Sequence, residues 1–186
     1  KWEMPNSAIE ARLAMIRAMP CPTAIAAYWK RFSAATGNTD STRFYDVAYF
    51  GDSEALANAL ADLVLKGIKR ATAGSLASFE HEGKRPPRPG DFSIITNWAG
   101  APLCVIETTR VDVVPFDQVT AEFAATEGEG DGSLEYWRAA HTAFFSRECA
   151  RIGEVFSESM LIACERFHVV YLDTESGAFR RERPGS

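Results

Sequence analysis

The chain reads as an α+β domain, a small mixed sheet or barrel with helices packed around it. Three observations point there. Apolar residues recur at helical spacing in some segments and alternate in others, with no regular strand–helix–strand order. A breaker-rich stretch, Gly83 to Asp91, leads into two alternating segments joined at Ala99-Gly100, the pattern of a β-hairpin. With 186 residues, 46% hydrophobic and 24% charged, the chain can bury one sizeable core without staples.

The elements follow in order. Ile9, Leu13, Ile16, Ala18 and Met19 form a helical stripe that stops at Pro20. Thr23 is placed to cap a second helix, Ala24 to Ala35, ended by Gly37. Arg43 to Phe50 reads as a strand. Asp52 or Ser53 caps a helix with Leu56, Leu60, Leu63 and Val64 on one face, ending at Gly67. Lys69 to Ala73 is a short strand or loop, and Ser75 to Glu82 a short helix. The GKRPPRPGD stretch is expected to be an exposed loop. Phe92 to Asn97 and Leu103 to Val114 are the hairpin strands, and Pro115 ends the second. Val119 to Thr126 is helical, and the acidic, glycine-rich loop EGEGDG follows. Ser133 or Asp131 caps a helix to about Arg151, with Leu134, Trp137, His141, Phe144, Phe145 and Ile152 near one face. Met160 to Leu172 is the last strand, and the tail beyond it is polar and frayed.

Composition narrows the function classes. No apolar run is long enough to span a membrane, and the N-terminus lacks the pattern of a secretory leader. A cytoplasmic location is expected. Cys21, Cys104, Cys149 and Cys164 show no CxxC or CxxH pairing, so they read as reduced, buried thiols. The net charge of -5 argues against general coating of nucleic acid. The charge is uneven, however. Lys66, Lys69, Arg70, Lys84, Arg85 and Arg88 face only Glu80 and Glu82 in the same stretch, whereas Asp117 to Glu135 holds six acids and no base. A solvated surface produces such runs, and so does a basic rim facing an acidic patch.

The residues able to do chemistry centre on GIKRATAGS. Lys69, Thr72 and Ser75 supply an amine and two hydroxyls within one short segment. On a regular strand Lys69 and Thr72 would point to opposite faces. Gly67 and Gly74 make the required bend plausible. On the strand Leu103 to Val113, one face is Leu103, Val105, Glu107, Thr109, Val111 and Val113, with Glu107 its sole charge. A carboxylate there is costly unless it is paired or hydrogen-bonded, so it is either a structural ion pair or a site residue. The opposite face, Cys104, Ile106, Thr108, Arg110 and Asp112, is mixed enough to meet solvent. His141 lies one helical turn from Trp137 and from Phe145. Glu127, Glu129, Asp131 and His141 match no compact metal site, and no metal or cofactor is expected. Phosphate-loop, dinucleotide and nucleophile-elbow motifs are all missing from the sequence.

Three segments carry a resemblance: YFGDSEALANALADLVLKGIKRATAGSL, RPGDFSIITNWAGAPLCVIETTRVDVVPFDQVTAEFAATEGEGDGSLEYWRAAHTAFF, and the final strand. Together they resemble ASCH-domain proteins of the PUA-like superfamily, in particular the YhfF-like branch, over roughly Phe44 to Leu172. The resemblance implies a PUA-like β-barrel or mixed sheet with surrounding helices and a cleft suited to RNA or a nucleoside. It divides the chain into a helical extension (1–40), the ASCH domain (41–173) and a polar tail (174–186). Related proteins include amidohydrolases that deacetylate N4-acetylcytidine with a lysine, a threonine and a glutamate, which fall here on Lys69, Thr72 and Glu107. Another relative is similar to a ribonuclease with a lysine in its cleft. Arg70 stands where relatives often have lysine or threonine, and the EGEGD segment belongs to this branch rather than to the smaller amidohydrolases.

The leading reading is therefore hydrolysis of an N-acylated cytidine-like nucleoside. Thr72 would be the nucleophile, Lys69 its base or the stabiliser of the oxyanion, and Glu107 the proton relay. Asp52, Arg70, Ser75, Glu129, Asp131, Trp137 and His141 would hold the substrate. The rivals are a ribonuclease and a non-catalytic nucleotide or RNA reader using the same cleft, acting as monomer or homodimer. Steep salt dependence would favour the RNA readings.

Overall fold

The structure, a computed structural model, describes residues 22–173. The predicted stripe from Ile9 to Met19, Cys21 and the polar tail lie outside the described residues. Helix α1 is Pro22–Thr36, α2 Glu54–Leu65, α3 Leu76–His81, α4 Ala121–Glu127 and α5 Leu134–Ile152. The strands are β1 Phe44–Ala48, β2 Ala71–Ser75, β3 Phe92–Thr96, β4 Pro102–Pro115 and β5 Leu161–Leu172. Most expected elements are present with shifted ends. Thr23 falls inside α1 rather than capping it.

Local chemistry sets the helix starts. Ser53, Ser75, Thr120 and Ser133 each turn a side-chain oxygen back to a free backbone N–H of the first turn of α2, α3, α4 and α5. Each replaces a hydrogen bond that the helix cannot supply to itself.

The strands form one mixed sheet in the order β1-β3-β4-β5-β2. β1 runs parallel to β3, and the other neighbours are antiparallel. Both faces of the sheet are covered. On one, Ile25, Tyr28 and Phe32 of α1 pack on Val47, Phe92, Ile94 and Val105. On the other, Val64 of α2 meets Ile95, Cys104, Ile106 and Phe167. A third cluster joins α4 and α5 to the β2–β5 end through Phe116, Phe123, Trp137, Phe145, Ile162 and Cys164.

Double coverage corrects the expectation for β4. Cys104, Ile106 and Thr108, expected on a mixed and solvent-facing side, are buried, whereas Val113 at the far end is exposed. Period-two alternation identifies the buried face only when the other face is wet. A register shift between Thr108 and Arg110 further breaks the alternation. The loop Gly83 to Asp91 is also less free than expected. Arg85 grips both oxygens of the buried Asp91 at 2.6 and 2.9 Å, and the Arg88 N–H donates to Asp91 at 2.7 Å.

β1 and β2 are the two edges of the sheet, yet Tyr45, Asp46 and Ala48 of β1 line the same cavity as Thr72, Ala73 and Gly74 of β2. The sheet therefore curls until its edges face each other, as a half-closed barrel.

Candidate functional site

The lysine of the GIKRATAGS segment is locked in by its backbone. Gly67 turns the chain at φ +70° after α2, and the Ile68 and Lys69 N–H groups both donate to the Leu63 carbonyl. The next residue ties two distant elements together. Arg70 N–H donates to the Thr126 carbonyl, and its own carbonyl accepts from Phe167 N–H. Lys69 is thereby driven inward, with its side chain only 1% exposed. Its ammonium donates to Glu127 at 3.0 Å and to Glu129 at 2.6 Å, and lies 5.1 Å from the centre of the Phe50 ring. The two carboxylates flank Gly128, whose φ of +67° suits glycine. A Cβ there would come within 2.7 Å of the Ile68 carbonyl oxygen. The close backbone approach at Gly128 is what lets both acids reach one ammonium.

Glu127 is as buried as its partner. Trp137 Nε1–H donates to its second oxygen, and His141 Nε2 lies 3.5 Å from the same atom. The His141 ring stacks on Trp137 at 4.0 Å between centroids, and its Nδ1 lies 2.9 Å from the Trp137 carbonyl, which can only accept. Burial alone would raise the pKa of Glu127. The Lys69 charge and the His141 and Trp137 contacts outweigh burial and hold it down at about 2.

A second carboxyl group shares the sheet face of Thr72. Thr72 of β2 is the cross-strand partner of Glu165 of β5, so the two share one face of the sheet. Thr108 Oγ1 donates to Glu165 Oε1 at 2.5 Å. Burial pushes Glu165 up to about 7. Asp91 and Asp46 add to that, while the Thr108 hydrogen bond and the Lys69 charge oppose it. Thr72 and Glu165 line a cavity of about 240 Å³. Phe50, Thr72 and Ala73 are also walls of a smaller cavity of about 110 Å³, which reaches Glu127, Glu129 and His141. A third, of about 590 Å³, shares Gly51, Phe144 and Arg147 with the second, and Asp46, Ala48 and Tyr49 with the first. The three adjoin one another through these shared walls and form a cleft region between β1, β2 and α5.

The structure brings Thr72, Glu129 and His141 together on the wall of this cleft, while Lys69 lines none of the three cavities and is buried against Glu127 and Glu129, with no hydrogen bond joining it directly to Thr72. It does not bring Glu107 there. Glu107 is the cross-strand partner of Phe92, on the α1 side of the sheet, while its neighbours Ile106 and Thr108 point to the cleft side. It accepts from Arg43 at 2.5 Å and lies 3.5 Å from His168, with its side chain 27% exposed. The expected convergence of Lys69, Thr72 and Glu107 is thus corrected: strand alternation sends Glu107 through to the opposite face.

The other expected ligand-holding residues divide. Asp52 pairs with Arg147 at 2.6 Å on the wall of the largest cavity. Ser75 is buried and caps α3, and Asp131 is exposed and accepts from Ser133 N–H at 2.8 Å, so both serve turns. Arg70 is exposed and contributes its backbone. Trp137 acts behind Glu127 rather than in the cleft wall. Among the described residues, no cluster of three His, Cys, Asp or Glu side chains is arranged to hold a metal. Cys104, Cys149 and Cys164 are buried free thiols, and burial pushes Cys104 and Cys164 up to about 12. No described helix is long and apolar enough to cross a membrane.

Sequence reading missed Glu165, although its signal was present. Ala163, Glu165, Phe167 and Val169 alternate as one apolar face with a single carboxylate, the same pattern that drew attention to Glu107.

A curled mixed sheet with flanking helices and a polar cleft at its edges places the protein in the PUA-like class of folds. The ASCH domain model matches residues 46–171, and the chain belongs to the ASCH-domain family. It is similar to the ASCH domain from Lactobacillus crispatus JV V101, with 39% identity, a TM-score of 0.73, and 78% of this chain and 93% of that chain covered. It is also similar to a protein from Enterococcus faecalis V583 in the family DUF984. That match has 33% identity and a TM-score of 0.74, and covers 83% of this chain and 97% of that chain. No curated protein matches the chain.

Proposed function

We propose that the protein hydrolyses an N-acyl amide on a cytidine-like nucleoside. The observation that carries this reading is a buried ammonium, Lys69, gripped by Glu127 and Glu129, the second of which lines the same cavity as Thr72. Thr72 is the nucleophile toward the acyl carbon. Lys69, fixed by two acceptors, directs positive charge toward the oxygen that becomes anionic. His141, Phe50 and Phe144 offer ring surfaces to a flat base, and the Asp52–Arg147 pair lies where a ribose or phosphate would emerge.

The ASCH family is RNA-binding and hydrolase-like, which fits a nucleoside or RNA ligand. The charge pattern favours the nucleoside. Lys69, Lys84 and Arg85, half of the basic run from Lys66 to Arg88, are committed to carboxylates. Fewer cations remain to track a phosphate backbone, the interaction that dominates RNA affinity.

Incubation with N4-acylated cytidines and with structured RNAs, each at low and high salt, tests the reading. Release of cytidine with little salt response is expected. Cleavage of RNA with intact acylcytidines would replace it with the ribonuclease.

A further inference from the structure

We infer that Glu165 is the proton-transferring group of this site, taking the proton from the Thr72 hydroxyl and delivering it to the leaving amine. The inference rests on the amidohydrolase reading above and names a residue that reading leaves open.

Geometry carries it. Thr72 and Glu165 are directly paired across β2 and β5, so hydroxyl and carboxyl lie side by side on the cleft face. Both line the same cavity. Thr108 is the only hydrogen-bond partner of the Glu165 carboxyl group among the described residues, and it engages Oε1. That leaves Oε2 available to a hydroxyl, a water or a leaving nitrogen. Glu127 and Glu129 are unsuited to this task because both are engaged by Lys69, and Glu127 also by Trp137. Glu107 is on the other face of the sheet.

The environment sets Glu165 near neutrality. Burial, Asp91 from the loop before β3 and Asp46 from β1 raise it. Thr108 from β4 and Lys69 before β2 oppose them, leaving it at about 7. A group balanced there accepts and returns a proton with little cost in either direction.

The steps balance. Thr72 Oγ1 bonds to the acyl carbon while its proton passes to the Glu165 carboxylate. The C–N bond then breaks, its electron pair goes to nitrogen, and Glu165 returns the proton to form the free amine. Water attacks the acyl-threonine ester, giving a proton to Glu165. The C–O bond to Thr72 breaks, and Thr72 recovers its proton as the carboxylic acid departs.

Hydrolysis of N4-acetylcytidine is measured from pH 5 to 9 for the wild type, Glu165→Gln and Thr108→Val, with folding checked by circular dichroism. The wild-type rate should rise through about pH 7. Glu165→Gln should lose about a hundredfold or more in kcat, with little change in KM and with the pH limb abolished. Thr108→Val, which removes a hydrogen bond favouring the carboxylate, should shift that limb to higher pH. A Glu165→Gln protein that keeps the wild-type limb and turnover overturns the inference while the amidohydrolase reading stands. So does an unshifted limb in Thr108→Val, which decides the matter if Glu165→Gln does not fold. A wild type that hydrolyses no acylcytidine overturns the function itself, and this inference with it.

Discussion

The Lys69 ammonium lies 3.0 Å from a Glu127 carboxyl oxygen, and both side chains are only 1% exposed. Two charges so deeply withdrawn are tolerable because each is fully partnered: Lys69 by a second carboxylate, Glu127 by Trp137 and His141.

Breaking this pair from either side strips a buried charge of a close partner. Lys69→Met or Glu127→Leu should each destabilise the fold by about 3–5 kcal/mol. The double variant should recover part of that loss, since neither charge of the buried Lys69–Glu127 pair remains. Urea denaturation of the wild type, the two single variants and the double variant checks this. Simple additivity of the two losses would show that the pair is uncoupled.

The two buried glutamates should bend the pH dependence of stability in opposite senses. Glu127 titrates at about 2 when folded, below its ordinary 4.5. Its contribution is full above about 4.5 and lost as pH falls toward 2. Glu165 titrates at about 7, above its ordinary 4.5. Its contribution is full below about 4.5 and lost as pH rises through 7. Relative to wild type, Glu165→Gln should therefore become more favourable by a few kcal/mol between pH 5 and 8, while Glu127→Gln should remove part of the acid-side loss. Denaturant midpoints from about pH 2 to pH 8 give both slopes, and parallel curves for Glu165→Gln and wild type between about pH 5 and 8 would contradict the assignment.

Glu107→Gln should be mild. Its partner Arg43 is half-buried and is also held by the Gly90 carbonyl at 2.7 Å and by the Phe92 ring at 3.9 Å. A loss of about 1 kcal/mol or less is expected, with turnover on N4-acetylcytidine within about twofold of wild type. A hundredfold loss of turnover without unfolding would return Glu107 to the site.

Gly128→Ala should damage the site from the backbone. Its left-handed conformation and the 2.7 Å approach of the Ile68 carbonyl leave no room for a methyl group. A loss of about 1–3 kcal/mol is expected, together with impaired turnover, because Glu127 and Glu129 both pivot on this residue. Gly83→Ala also replaces a left-handed glycine, but its Cβ would meet nothing within 4 Å. It separates conformational strain from collision when both are compared by thermal melting.

Much of this was legible from residues alone. Helix starts at Ser53 and Ser133 were readable because a short polar side chain before an apolar repeat has a mechanical role. The family was readable because the segment from Phe123 through Phe145 combines an unusual acidic glycine turn with an aromatic helix. What local pattern could not supply was which face of β4 meets the cleft. Residues on both faces are buried there, so apolar alternation carries no sign. Glu107 and Glu165 look alike in one dimension. Only the strand order, with β5 between β4 and β2, shows which carboxyl meets Thr72. Similarly, the link between Lys69 and Glu127 joins residues 58 positions apart, visible beforehand only as a basic run and an acidic run.

The strand order also has a consequence for how the protein is made. Among the described strands, β2, which carries Thr72, has β5 as its sole neighbour in the sheet, and β5 is the last of them in chain order. During synthesis, Lys69, Thr72, Glu127 and Glu129 all leave the ribosome before the segment that holds β2 in register. The nascent chain can assemble the β3–β4 hairpin early through local contacts, but its hydroxyl-bearing strand must wait for a distant partner. The cleft is then completed by an act of insertion at the end of folding, so a product truncated before β5 would lack a formed cleft.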